Sequence, residues 1–547
     1  MPPEQHSESL ARDLDRISAS PTLPGARAGH GGAPAPTTLD LADLYGAPAD
    51  PGGDAPSTAG DGGIPEVDLG EKLRQAYFWI TNHAIISPHY DVEFEHGPSK
   101  RVLLGDAQAP LVLPSAQSYS SFVLLPLLTF AVRGRCLLIG GPGRGKTASA
   151  LLMGVLAGDS PREVRRHMQH GHPQLTVADL FGTPLPRDLV QAERLSDIDV
   201  AWRTWLDRRV KIVDEYNRIP TRTQSALLTV LADGYVEAFD QIYEVGRSAW
   251  YLTANDDAGG GTYQVIEALR DRIDVVVAAL PFNHRFLGAL VARIEGAVSP
   301  EAAVPAELVF TSAEHDRLLD EVLAVPLPYP VLRRLEHFAG QFEYLERAGQ
   351  QFEYRTKDTA RLAGVDPHLV QVQDTGRDVL SDLGAQTSAG LSVRALQSLV
   401  LYAKAMAYFR GRAEVGLDDV RAVLPFVLLQ KLSADAQAEA FDVPGAEALR
   451  TDRVSWLRGM FDLACRQFDA AGLDGTDPVG ALLAELGGGL DGVSAAEART
   501  RLRRIERTLD EVAGQRKVYG HLYDDVLALK YLHQRYLNYL AWLEWTG

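Results

Sequence analysis

Apolar positions along this chain fall into two regimes. Between about 115 and 290, short apolar runs alternate with stretches of helical spacing. The runs at Cys136–Ile139, Val210–Val213, Trp250–Thr253 and Asp274–Ala279 read as buried strands. That alternation predicts an α/β fold, a parallel sheet with helices on both faces. Residues Phe122 to Val132 are apolar on every side, interrupted by Pro126 and too short to span a bilayer, so they are expected to form a helix packed on the sheet. Residues Tyr235 to Trp250 read as a hairpin leading into the Trp250 strand.

From about 300 the spacing turns helical. Ser494-Ala495-Ala496-Glu497 is a capping box, and it opens a helix carrying Leu502, Ile505, Leu509 and Val512 on one face. After Gly520 the pattern resumes with Leu522, Val526, Leu529, Tyr536, Leu540 and Leu543, so two antiparallel helices are expected. Residues 1–66 are rich in Pro, Gly, Ala and Asp. They bury too little to offset their ordering entropy and are expected to be a disordered tail, with one short helix near Leu10 to Ile17. Ordered structure is expected from Val67, as an amphipathic helix through Ile80. Gln341-Phe342-Glu343-Tyr344 recurs as Gln351-Phe352-Glu353-Tyr354; two copies make no solenoid, and a local insertion or coincidence is expected.

A chain of 547 residues needs several cores. Its net charge of −18 repels phosphate backbones, which disfavours nucleic acid as the main partner. Two cysteines, Cys136 and Cys465, give neither a disulfide framework nor a cysteine zinc site, and a reducing cytoplasm is expected. No apolar leader or membrane span is expected either.

The candidate chemistry lies where the strands end. Gly140-Gly141-Pro142-Gly143-Arg144-Gly145-Lys146-Thr147 follows the Cys136 strand and precedes a helix expected over Ala148–Leu156. Glycines let the backbone N–H groups along residues 141 to 148, all but that of Pro142, which has none, converge on phosphate oxygens at a helix N-terminus. Lys146 is expected to reach the β- and γ-phosphates, and Thr147 to hold Mg²⁺. The Val210 strand ends in Asp214 and Glu215. The first is expected to bind Mg²⁺ through water and the second to polarise an attacking water. Asn255 ends the next strand, where its amide can position that water. Arg270 and Arg272 follow a helix; either can be a finger aimed at a neighbouring subunit's γ-phosphate, Arg272 being favoured, or a surface partner of Asp271 or Asp274. His167, His170 and His172 cluster, but no cysteine or spaced acid completes a metal site, and they read as a polar loop.

With these residues in view, the chain resembles the AAA+ ATPases, and within them the MoxR family, over about residues 70–435. The resemblance is carried by Asp214-Glu215-Tyr216-Asn217-Arg218-Ile219-Pro220 with Thr223-Gln224-Ser225-Ala226-Leu227-Leu228 and Gly234. Further on it is carried by Gly261-Thr262-Tyr263 through Asp271-Arg272, by Ser392-Val393-Arg394-Ala395 and by Gly411-Arg412-Ala413-Glu414-Val415 before Asp418-Asp419-Val420. It implies an AAA+ core over 67–295, a helical lid over 296–435 and a C-terminal helical extension over 436–547. It also implies that Arg394 is the sensor-2 arginine contacting nucleotide from the lid. A family insert is expected near 182–208, and the hairpin near 236–249 resembles the insert before sensor 1. Tyr216 departs from the small aliphatic residue usual there; extra lid sequence near 338–390, the tail and the C-terminal region depart as well.

The same resemblance implies an ATP- and Mg²⁺-dependent ring, of six subunits, acting on a protein client with a von Willebrand A domain partner. Two other readings stay open. One is a nucleic-acid motor or restriction-type NTPase, which needs a basic stripe beyond Arg165-Arg166-His167. The other is a nucleotide-gated scaffold docking through Tyr531, Tyr536, Tyr539, Trp542 and Trp545.

Overall fold

The computed structural model describes residues 67–106, 108–187, 198–238, 240–255, 267–296, 299–371, 382–514 and 520–546. The expectations for the tail 1–66, for Gly261-Thr262-Tyr263, and for parts of the stretches near 182–208 and 338–390 lie outside these residues.

Five parallel strands form the central sheet: β1 (Arg135–Ile139), β2 (Gln169–His170), β3 (Val210–Asp214), β4 (Ala249–Ala254) and β5 (Val275–Ala278). Their order across the sheet is β5-β1-β4-β3-β2. Every residue of β4 is buried, as expected of a central parallel strand covered on both faces. Register is fixed by Leu252, which lies opposite Leu137 of β1 and Val213 of β3. Sequence periodicity finds four of these strands. It misses β2, because two polar residues at a sheet edge carry no hydrophobic period, and this moves His170 from the expected loop onto the strand beside Asp214.

Helix α1 (Leu69–Trp79) opens the described chain with its buried face on Leu69, Leu73, Ala76 and Tyr77. Helix α2 (Ser121–Val132) is buried on all sides, as its composition requires, and the buried Tyr251 hydroxyl of β4 donates to the Pro126 carbonyl at 2.8 Å. Helix α3 (Lys146–Leu156) begins two residues before its expected start. Helix α4 (Thr221–Asp233) leads into the expected hairpin, Tyr235–Ala238 with Gln241–Glu244. Helix α5 (Glu267–Arg272) enters β5, and α6 (Leu287–Glu295) leaves it. A second hairpin, Lys100–Leu104 with Ala109–Leu113, has no counterpart among the expectations; its residues are exposed on both faces except half-buried Val102.

In the lid, α7 (Val393–Phe409) and α8 (Leu417–Leu428) pack together, and α7 lies along α2. The Tyr402 and Thr129 hydroxyls meet at 2.8 Å, and Ser398 donates to Asp274 at 2.7 Å. Helix α7 is thereby fastened both to α2 and to Asp274, just before β5 begins.

Beyond the lid, α9 (Ala495–Ala513) and α10 (Gly520–Thr546) pair through Leu502, Ile505, Leu529, Leu532 and Tyr536. They run antiparallel, since Arg499 pairs with Glu544, Arg501 with Tyr536, and Glu506 with His533. The doubled Gln-Phe-Glu-Tyr segments share one neighbour. Tyr523 of α10 packs its ring 5.2 Å from both Tyr344 and Phe352, and donates its hydroxyl to the Glu353 carbonyl at 2.9 Å. No described helix is long and apolar enough to cross a membrane.

Candidate functional site

The carboxyl ends of β1, β3 and β4 gather three polar segments, the usual place for a ligand on a parallel sheet. The loop after β1 turns at Gly140, with φ 143°, where an added Cβ would come within 2.7 Å of the Ala279 carbonyl oxygen. Gly143 and Gly145 have φ of 72° and 81°, which glycine adopts without steric cost. Arg144 donates to the Ala279 carbonyl at 2.9 Å and so ties the loop to the end of β5.

Lys146 is buried, and its ammonium donates to the carbonyls of Gly140 at 2.6 Å and Gly141 at 2.8 Å, and to Asn255 Oδ1 at 2.9 Å. Thr147 donates to Asp214 Oδ1 at 2.9 Å, and Thr253 donates to the same oxygen at 2.6 Å. The other Asp214 oxygen lies 3.6 Å from His170 Nδ1. Glu215 has a left-handed backbone, φ 50°, and its N–H donates to Thr253 Oγ1 at 2.9 Å. A non-glycine residue there is strained, and such strain collects at functional sites. The Glu215 carboxylate accepts from Asn255 Nδ2 at 3.1 Å and from Arg218 at 2.7 Å. Residues 146, 147, 214, 215 and 255, named from sequence alone, therefore form one connected polar set. Arg218, Thr253 and His170 join it; Arg218 lies three residues after Glu215, whereas Thr253 and His170 are distant in sequence and are brought there only by the sheet.

Two hydroxyls and a carboxylate are hard oxygen donors, the chemistry that suits Mg²⁺. Asp214 Oδ1 already faces Thr147, so the pair fits a cation carried with its waters. Among the described residues no cluster of three His, Cys, Asp or Glu side chains is arranged to hold a metal on its own.

Beside the phosphate-type loop lies a cavity of about 260 Å³ lined by Ile85, Gly143, Gly145, Phe282, Leu290 and Arg293. Sequence reasoning missed it, because apart from the loop itself its walls come from segments far apart in sequence that no motif links.

Arg394 and Arg272 lie elsewhere. Val275 of β5 pairs with Cys136 at the start of β1, so Asp271 and Arg272 stand at the amino end of the sheet. The strands put about 13 Å, four residues at 3.3 Å each, between that end and the loop. Arg394 Nη1 is 3.3 Å from Asp271 Oδ2, and Ser392 donates to Asp271 at 2.5 Å. Arg394, expected to contact nucleotide from the lid, thus stands apart from the loop of its own chain: fastening α7 to Asp271 and Asp274 holds it at the opposite end of the sheet. There it lines an open cleft of about 900 Å³ with Arg133, Arg135, Arg272 and Lys404. Arg270 is exposed and does not line that cleft.

Residues 383–451 match an AAA lid domain, the stretch that holds α7 and α8. Protein MoxR of Paracoccus denitrificans is 25% identical over 339 residues, covering 60% of this chain and 87% of that protein. A crystal structure from Cytophaga hutchinsonii ATCC 33406, assigned as an ATPase, has a TM-score of 0.43 at 19% identity and covers 61% of this chain and 89% of the other; a likeness that loose carries no argument. The lid match, the MoxR match and a parallel sheet carrying its polar set at the carboxyl ends agree: this chain is similar to the MoxR-like AAA+ ATPases.

Proposed function

We propose that the chain hydrolyses ATP at the carboxyl end of its sheet, as one subunit of a ring, to remodel or mature a protein client. The connected set of Lys146, Thr147, Asp214, Glu215 and Asn255 is the observation that carries this reading. The N–H groups of Gly141 and of residues 143–148 would cradle the phosphates, with Lys146 exchanging loop carbonyls for phosphate oxygens. Thr147 and Asp214 would hold Mg²⁺, whose charge offsets that of the phosphates. Glu215 would orient and polarise the attacking water, and Asn255 would hold Glu215 and Lys146 in mutual register. The 260 Å³ cavity beside Gly143 suits the base. Arg272 and Arg394, at the far end of the sheet, would act on the nucleotide of the next subunit, which is why the reading requires a ring; six subunits, a von Willebrand A domain partner and a cytoplasmic setting are proposed on the likeness to MoxR.

The test is Glu215→Gln. It should bind a fluorescent ATP analogue as the wild type does and lose at least about a hundredfold in turnover. Near-normal turnover would remove Glu215 from the chemistry. Lys146→Ala should lose nucleotide binding itself.

A further inference from the structure

The aromatic residues along the second half of helix α10 divide into two groups. Tyr536 is buried in the helix pair, and Tyr539 donates its hydroxyl to the Val493 carbonyl at 2.8 Å, so both belong to the bundle. Tyr531, Trp542 and Trp545 are 52%, 51% and 84% exposed. With exposed Arg535 and Asn538 they recur at steps of four, three, four and three residues, which sets all five on one helical face. That face turns away from Leu529, Leu532 and Tyr536, which pack on α9. From Val526 to Thr546 the helix has a single acid, Glu544, and it lies on the α9 side against Arg499. A face of Trp, Tyr, Arg and Asn without a carboxylate has the composition of the centre of a protein interface and not of a solvated helix surface.

We infer that a second copy of this chain covers this face, the two α10 helices lying antiparallel about a two-fold axis at Asn538. The inference goes beyond the proposed function: none of the five residues lines the cavity beside the loop or the cleft at the amino end of the sheet. The spacing selects the occupant. Along a helix rising 1.5 Å per residue, Tyr531 and Trp545 lie about 10.5 Å to either side of Asn538, and Arg535 and Trp542 about 4.5 and 6 Å to either side. The face therefore reads nearly the same in both directions. Turned end for end on its own copy, it sets Tyr531 beside Trp545 of the second copy, Arg535 beside Trp542 of the second copy, and Asn538 against its counterpart. Each group then meets what it can use: ring on ring, guanidinium over indole, and amide to amide, where donor and acceptor satisfy each other. A buried amide at the centre also fixes the register, because a slip leaves it unpaired among rings. One patch pairing with itself is an isologous contact, which closes at two copies. A foreign partner would have to bring a carboxylate for Arg535 and gives no reason for a spacing that reads alike both ways.

The experiment uses the full chain in nucleotide-free buffer. Sedimentation velocity from about 1 to 50 μM should show the wild type self-associating. Arg535→Glu with Trp545→Glu should weaken that association at least about tenfold. Both side chains are exposed, so folding is expected to survive, and circular dichroism checks it. Tyr531→Phe should associate as the wild type does. Mild oxidation reads the direction of the pairing. In a Cys465→Ser background, Asn538→Cys should give a disulfide-linked dimer. Tyr531→Cys alone should not, because its two copies stand about 21 Å apart, whereas a mixture of Tyr531→Cys and Trp545→Cys should cross-link. A wild type that stays monomeric across the range overturns the inference and leaves another protein as the occupant of the face. Association that survives the double Glu variant overturns it too. Tyr531→Cys that cross-links to itself as readily as Asn538→Cys does makes the helices parallel and overturns the pairing. A chain that binds no nucleotide defeats the proposed function and leaves every one of these readouts in place, so the two failures are distinguishable.

Discussion

Asn255 and Glu215 are joined by a hydrogen bond whose direction is fixed by a third residue. Lys146 can only donate, so Asn255 turns Oδ1 to it at 2.9 Å and is left to offer Nδ2 to Glu215 at 3.1 Å. One amide therefore couples the cation expected on the phosphates to the carboxylate expected on the water. Asn255→Asp keeps the acceptor for Lys146 but sets a carboxylate against Glu215. Turnover should fall by about a hundredfold or more, with nucleotide affinity changed by less than about fivefold. Steady-state ATPase assays and titration with a fluorescent nucleotide separate the two. Equal losses in both would make Asn255 a binding residue and not a positioning one.

The placement of Arg272 and Arg394 leads to a mixing experiment. Each lies at the sheet end away from Lys146. If each serves a neighbour's nucleotide, Arg272→Ala and Lys146→Ala are defective for different halves of one interface. Each variant alone should be nearly inactive, and a mixture should regain activity where an intact loop meets an intact arginine. Arg394→Ala mixed with Lys146→Ala should behave in the same way. A mixture no more active than the sum of its components would place these arginines outside the shared site.

What could be read from the sequence tracks where the free energy is concentrated. Strands β1, β3 and β4 announce themselves because central parallel strands bury both faces, and the loop and acids at their ends follow from that register. Edge strand β2 buries little, leaves no apolar run and stays silent; with it went the placement of His170 beside Asp214. Arg394 could be recognised as a residue, but its position could not. That depends on Ser392 and Ser398 reaching Asp271 and Asp274 more than a hundred residues away, which no local pattern records. The cavity walls were unreadable for the same reason: Ile85 and Phe282 meet only in the folded chain.

The doubled Gln-Phe-Glu-Tyr segments make a test of the C-terminal extension. Tyr523 is 4% exposed and packs against one aromatic ring from each copy. Tyr523→Ala removes both ring contacts and the hydrogen bond to Glu353, a loss of about 3 kcal/mol in local stability. Amide exchange should accelerate across 520–546 and stay unchanged in β4. Unchanged protection in α10 would show that its pairing with α9 alone holds it.

The last prediction concerns pH. His315 is fully buried, stacks on the Phe130 ring with centroids 4.1 Å apart, and has Nε2 2.8 Å from the Phe130 carbonyl. The carbonyl can only accept, so Nε2 carries a proton, as it does in both the neutral Nε2–H tautomer and the charged ring. Burial, seconded by the charges of Arg133 and Arg209, pushes the imidazole pKa down to about 4 from its usual 6.5. The unfolded chain therefore binds the proton first as pH falls. The stability tied to a neutral His315 is full above pH 6.5 and is lost between 6.5 and 4, by up to about 3 kcal/mol. His337 and His521, pushed down to about 4 by burial, act in the same direction, while Asp524 and Asp525, raised to about 6 by burial, act oppositely. The difference between wild type and variant isolates the one site. His315→Gln keeps an N–H donor but cannot titrate, so its thermal midpoint should fall less steeply than that of the wild type from pH 7 to 5. Parallel profiles for the two proteins would show that the buried imidazole does not set the acid sensitivity of this core.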